Sequence, residues 1–93
     1  MTYQSIDPNT GRVLQSFEHL SAAQLEASLA AAETCFRTWK HTRYAERAAI
    51  LGRAAELMRA RVDDLARLAT LEMGKRIAEA RGEVKFSAEI LAY

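Results

Sequence analysis

Apolar residues fall into four patterned blocks along the chain. In the first, YQSIDPNTGRVLQSF, two short runs carrying Tyr3 and Ile6, then Val13, Leu14 and Phe17, flank Asp7-Pro8-Asn9-Thr10-Gly11. Pro8 presets φ for a turn and Gly11 can take the positive φ that a hairpin loop often needs, so a β-hairpin is predicted over about residues 3–17. In the second block, Leu25, Leu29, Ala32, Phe36 and Trp39 recur at helical steps. Ser21 followed by Gln24 is a capping-box pattern, and Leu20 before it can pack on Leu25 as a hydrophobic staple. A helix is predicted over about residues 22–40, with its apolar face buried.

The third block contains no proline, and Gly52 is its single interior glycine. Leu51, Ala54, Met58, Val62, Leu65 and Leu68 or Ala69 form a stripe, and Asp63 precedes Arg67 by four residues, an ion-pair spacing. One long helix is predicted over about residues 43–73. In the fourth, Ile77, Ala80, Val84, Ala88 and Leu91 stay in register, which predicts a helix over about residues 75–93. That pattern runs to Tyr93 with no glycine or asparagine to cap its end, no proline and no cation in the last turn, so it reads as cut rather than concluded. The fold class is mainly α, a hairpin plus three amphipathic helices.

At 93 residues the chain is one domain or part of one, and such a length buries only about 60–65% of its unfolded surface. A partner surface is expected on that ground. Composition is ordinary for a soluble chain, with 49% hydrophobic and 27% charged residues, and a net charge of +1 offers no footprint for nucleic acid or an anionic membrane. With no signal-peptide profile, no long apolar run and one cysteine, the location expected is cytoplasmic.

Gly74-Lys75 fails as a phosphate loop: Ala69 stands where the first glycine is required, and Arg76 stands where Ser or Thr is required. Gly74 reads instead as a left-handed residue closing the long helix. Cys35 has no histidine placed by sequence to activate it and reads as a buried or half-buried small residue, and His19 and His41 lie in no metal-ligand spacing. Glu72, Glu79 and Glu83 alternate with Lys75, Arg76 and Arg81 and read as an ion-pair set. Phe36 and Trp39 read as core or interface aromatics, and the arginines from Arg43 to Arg67 are scattered around the helix. No catalytic, cofactor-binding or metal-binding residue is expected.

In order, DPNTGRVL, FRTWK, AERAAIL and LATLEMGKRIAEARGEV resemble the opening of the aldehyde dehydrogenase superfamily over essentially the whole chain. Asp7 stands where Asn is usual, at a turn position that suits either. Glu72-Met73-Gly74-Lys75 and Glu79-Ala80-Arg81-Gly82-Glu83-Val84 look most like members that oxidise succinate semialdehyde with NAD or NADP. The resemblance implies that residues 1–93 are the N-terminal segment of the cofactor-binding domain of an α/β, Rossmann-like enzyme. Its catalytic cysteine, glutamate and dinucleotide-binding strands lie downstream in the family, so Cys35 is not the nucleophile. The implied role is scaffolding, with the remainder of the enzyme and further copies as partners and no cofactor held by this segment. The alternative is a self-standing helical interaction module derived from that family.

Overall fold

The computed structural model describes residues 2–93. A hairpin of β1 (Thr2–Ile6) and β2 (Val13–Glu18) precedes four helices: α1 (Ala22–Trp39), α2 (Tyr44–Ala60), α3 (Val62–Met73) and α4 (Ile77–Ala92). The strands pair antiparallel from Thr2 opposite Glu18 to Ile6 opposite Val13, and a register shift between Ser5 and Ile6 accommodates Leu14 as an extra residue. Asp7 organises the loop between them. Its carboxylate accepts the Asn9 amide at 2.8 Å and the Thr10 hydroxyl at 3.0 Å, while its backbone carbonyl accepts from Gly11, whose φ is +72°. The Asn9 hydrogen bond, reinforced by Thr10, holds the Asp7 carboxyl below its ordinary pKa of 3.8.

Helix α1 begins as its sequence dictates. The Gln24 amide donates to Ser21 Oγ at 3.2 Å and Gln24 Oε1 accepts the Ser21 amide at 2.8 Å, so the two residues cap each other. Helix α2 opens on half of such a box, with Glu46 accepting the Arg43 amide at 2.7 Å. The single helix expected over residues 43–73 is in fact two, broken at Arg61 (φ −119°, ψ 27°). Neither proline nor Gly52 causes the break. Val62, Asp63 and Asp64 are weak helix-interior residues, and the two aspartates suit the positive end of a new helix. The bend lets both halves lie against α4. Asp63 is also drawn away from Arg67, its expected mate, to Arg81 of α4 at 2.7 Å.

Helix α3 ends at Gly74, which is left-handed (φ +70°) and donates its amide to the Thr70 carbonyl at 3.0 Å. The hairpin docks on this end: Ser5 Oγ donates to Glu72 Oε1 at 3.0 Å, and a Cβ at position 74 would sit 3.2 Å from Pro8 Cγ. Helix α4 is the hub, packed on both α2 and α3. Among the described residues only Ala55, Ala66, Ala80 and Ala88 are fully buried. Methyl side chains let the helices approach closely, so little else is enclosed between them.

The molecule measures 47 × 37 × 14 Å, with a radius of gyration of 17.4 Å against about 12 Å for a compact chain of this length. Its thinnest dimension is little more than one helix with its side chains. The apolar face of α1, expected to be buried, is open: Leu25, Leu29, Phe36 and Trp39 are all exposed, and α1 packs on no other element. The physical reason is that α2, α3 and α4 already cover one another within a single layer, leaving no second layer for α1 to meet.

Three outcomes check this description. Gly74→Ala should cost about 1–2 kcal/mol for a left-handed L-residue, with an added cost from Pro8, whereas Gly11→Ala, with open space around it, should carry the backbone cost alone. Equal melting temperatures for parent and Gly74→Ala would contradict the assigned cap. Ala80→Leu should destabilise by about 1–3 kcal/mol through overpacking, while Ala78→Leu on the exposed side should be nearly silent; denaturant unfolding measures both. Because the folded pKa of Asp7 is depressed, its contribution to the loop is full above the ordinary value of 3.8 and fades as pH falls through the lower folded value. An NMR titration of the Asn9 amide should therefore show a midpoint below 3.8, absent in Asp7→Asn.

Candidate functional site

The residues singled out from sequence as chemical candidates are dispersed. Lys75 is paired with Glu83, Arg76 with Glu79 at 2.6 Å, and Arg81 with Asp63, while Glu72 accepts from Ser5. The glutamates around Gly74 thus form one ion pair each or a hydrogen bond to the hairpin, and no two carboxylates share a proton site. Cys35, expected to be buried or half-buried, is exposed, because no other described element covers α1 at that position, and His19 lies against the Tyr3 ring with 4.2 Å between centroids. Among the described residues no group of three His, Cys, Asp or Glu side chains is placed to hold a metal ion. None of the helices is long and apolar enough to cross a membrane.

What the structure does gather is uncovered apolar surface. Along α1 it comprises Leu25, Leu29, Phe36 and Trp39. On α4, Phe86 and Ile90, with Tyr93 just after its end, recur at steps of four and three on the side turned away from buried Ala80 and Ala88, and all three are exposed. This second stripe was missed in the sequence because the first, through Ala80, Val84 and Ala88, already satisfied an amphipathic reading; the same spacing test on the opposite side finds it. Between α2, α3 and α4 a cavity of about 250 Å³ is lined by Met58, Leu65, Met73 and Val84, with Glu83 and Ser87 as its polar members. A second, of about 360 Å³, lies between the hairpin loop and Leu71, with Val13 and Leu14 beside Asp7, Thr10 and Arg12. Neither gathers convergent groups for bond-making chemistry, and the arrangement is suited to docking polypeptide.

One polar residue passed over in the sequence stands out. Arg47, in α2, donates through Nε to Thr42 Oγ1 at 2.8 Å and through Nη2 to the carbonyls of Trp39 at 3.2 Å and Lys40 at 3.1 Å. Its guanidinium carbon lies 5.8 Å from the ring centroids of both Trp39 and Tyr44. The available signal was an arginine a few residues beyond a helix end that leaves carbonyls unpaired.

The profile of the aldehyde dehydrogenase family matches residues 1–93. A succinate-semialdehyde dehydrogenase [NADP(+)] of Deinococcus radiodurans is 45% identical over 91 residues, covering 98% of this chain and 19% of that protein. A glutarate-semialdehyde dehydrogenase of Pseudomonas aeruginosa is 38% identical over 87 residues, 94% of this chain and 18% of that protein. Among solved structures, succinic semialdehyde dehydrogenase from Streptococcus pyogenes, crystallised in complex with NADP+ as the cofactor, superposes with a TM-score of 0.90 at 35% identity, covering 98% of this chain and 20% of that one. This chain therefore spans about a fifth of the length of the relatives it matches. With the profile running its whole length and the backbone following a solved member, the chain belongs to the aldehyde dehydrogenase family.

Proposed function

We propose that residues 1–93 are the N-terminal scaffolding part of an NAD(P)-dependent aldehyde dehydrogenase that oxidises succinate semialdehyde to succinate in the cytoplasm, and that these residues are the N-terminal segment of its cofactor-binding domain. The observation that carries the reading is the quantity of uncovered surface. The accessible area is 7742 Å², whereas a compact chain of this mass exposes about 5,400 Å². The excess of about 2,300 Å² is nearly three times the roughly 800 Å² that each partner contributes to a standard interface. Docking to one modest partner, as a self-standing interaction module would do, leaves most of that area wet. Covering by a chain several times longer accounts for it, and relatives of that length exist in which the matched segment is 18–19% of the whole.

In this reading the catalytic thiol, the proton-handling groups and the nicotinamide site belong to the remaining part, and NAD or NADP is bound there. The present residues contribute by burial. Their open faces, on α1 and on the far side of α4, are the surfaces that the rest of the polypeptide covers, and copies of the completed subunit assemble into a homo-oligomer. The substrate assignment draws on relatives named as succinate-semialdehyde dehydrogenases at 45% and 36% identity.

Two measurements test it. The 93-residue polypeptide should give no aldehyde-dependent reduction of NAD or NADP, read by nicotinamide absorbance, whereas a polypeptide of the relatives' length that begins with these residues should reduce one of them with succinate semialdehyde. Activity of the short chain would refute the division of labour. The short chain should also self-associate as its concentration rises, because its apolar faces have no other cover. A strictly monomeric species in sedimentation at high micromolar concentration would refute the account of its surface.

A further inference from the structure

We infer that Arg47 is a positioning residue that sets the direction of α1, and with it the placement of the apolar face carried by Leu25, Leu29, Phe36 and Trp39. Helix α1 packs against no other element, so its orientation is decided at its ends. Its leading end leaves the hairpin through His19 to Ser21. At its trailing end, the chain from Lys40 to Arg43 turns into α2 within four residues. There the side chain of Arg47 reaches back across the turn and ties α2 to the last carbonyls of α1.

The electrostatics single out this residue. Arg47 is the fourth residue of α2, close to the positive end of that helix, where a cation is locally unfavourable. It is held there by groups of the preceding helix. The carbonyls of Trp39 and Lys40 lie at the negative end of α1, where a cation is favoured and where backbone acceptors lack partners within the helix. One guanidinium thus links the negative end of one helix to the start of the next. It is also half-buried and within cation–π range of aromatic rings on both sides of the turn, Trp39 and Tyr44.

The geometry requires the planar fork. Nε serves Thr42 while Nη2 serves two carbonyls at once, so one guanidinium reaches three acceptors; a lysine ammonium supplies the charge but not the fixed spacing of those donors. Thr42 completes the joint, since its hydroxyl accepts from Arg47 and donates to the Trp39 carbonyl at 2.7 Å. The use of this joint, presenting α1 to the rest of the enzyme, rests on the proposed function above. The joint itself does not.

Pulsed electron–electron resonance between nitroxides on the native Cys35 of α1 and on an introduced Glu89→Cys in α4 tests it directly, with labelled chains diluted in unlabelled protein to suppress contacts between copies. Both positions are exposed, and Cys35 is the one native cysteine. The parent should give a single narrow distance distribution. Arg47→Ala should at least double its width while the far-ultraviolet helix signal is retained, Arg47→Lys should broaden it nearly as much, and Thr42→Val should broaden it less. A width unchanged in Arg47→Ala would overturn the inference, as would full rescue by Arg47→Lys or a collapse of helix content in Arg47→Ala, which would make Arg47 a determinant of folding instead. Because this readout involves no substrate, absence of aldehyde oxidation in the longer polypeptide would remove the enzyme reading and leave a positive result here standing.

Discussion

Helix α4 lies between α2 and α3 in one layer, and among the described residues the side chains fully buried in that layer are alanines. A single layer encloses only the seams between neighbouring helices, and close helix approach leaves room in those seams for small side chains. Larger apolar residues are then driven above and below the plane, where this chain has nothing to meet them. The 14 Å thickness, the exposed stripes on α1 and α4 and the excess accessible area are consequences of that one arrangement. Ordinary domains bury their stripes by stacking a second layer. Here the described residues form no second layer.

Polar contacts do a different task. Arg81 with Asp63, Lys75 with Glu83 and Ser5 with Glu72 are exposed pairs, and such pairs contribute little net stability, commonly about 0–1 kcal/mol. They fall at junctions, where α3 meets α4, where the chain turns past Gly74, and where the hairpin meets the end of α3. Geometry is what they fix. Gly74 links several of these relations: its left-handed backbone turns the chain, its missing Cβ admits Pro8, and the following Lys75 pairs with α4. A motif that superficially suggests phosphate binding is thereby used to bring strand loop and two helices to one point.

Legibility in the sequence followed how local each cause was. The cap at Ser21 and Gln24, the glycines at 11 and 74, and the Asp7 loop were readable because their chemistry is complete within a few residues. The break at Arg61 was not, because Val62, Asp63 and Asp64 merely weaken a helix there, and the decision to bend comes from α4, whose Arg81 takes Asp63. The stripe on α1 announced a buried face, and the structure leaves that face exposed, because periodicity reports the apolar side of a helix but not whether another element packs on it. Ile90 and Phe86 were hidden by a second, better packed stripe on the same helix. The family resemblance rested on four short motifs in order, and two of them coincide with such local devices: the hairpin loop and the Gly74 junction.

The central claim is that α1 and the far side of α4 are interior surfaces of a longer molecule. Hydrogen exchange of the α1 amides, compared between the 93-residue chain and a polypeptide of the relatives' length beginning with it, tests that claim most directly. Tied to α2 at its last turn alone, α1 should exchange rapidly over most of its 18 residues in the short chain at concentrations below its self-association, and become strongly protected in the long one. Equal and rapid exchange of α1 in both would contradict the claim.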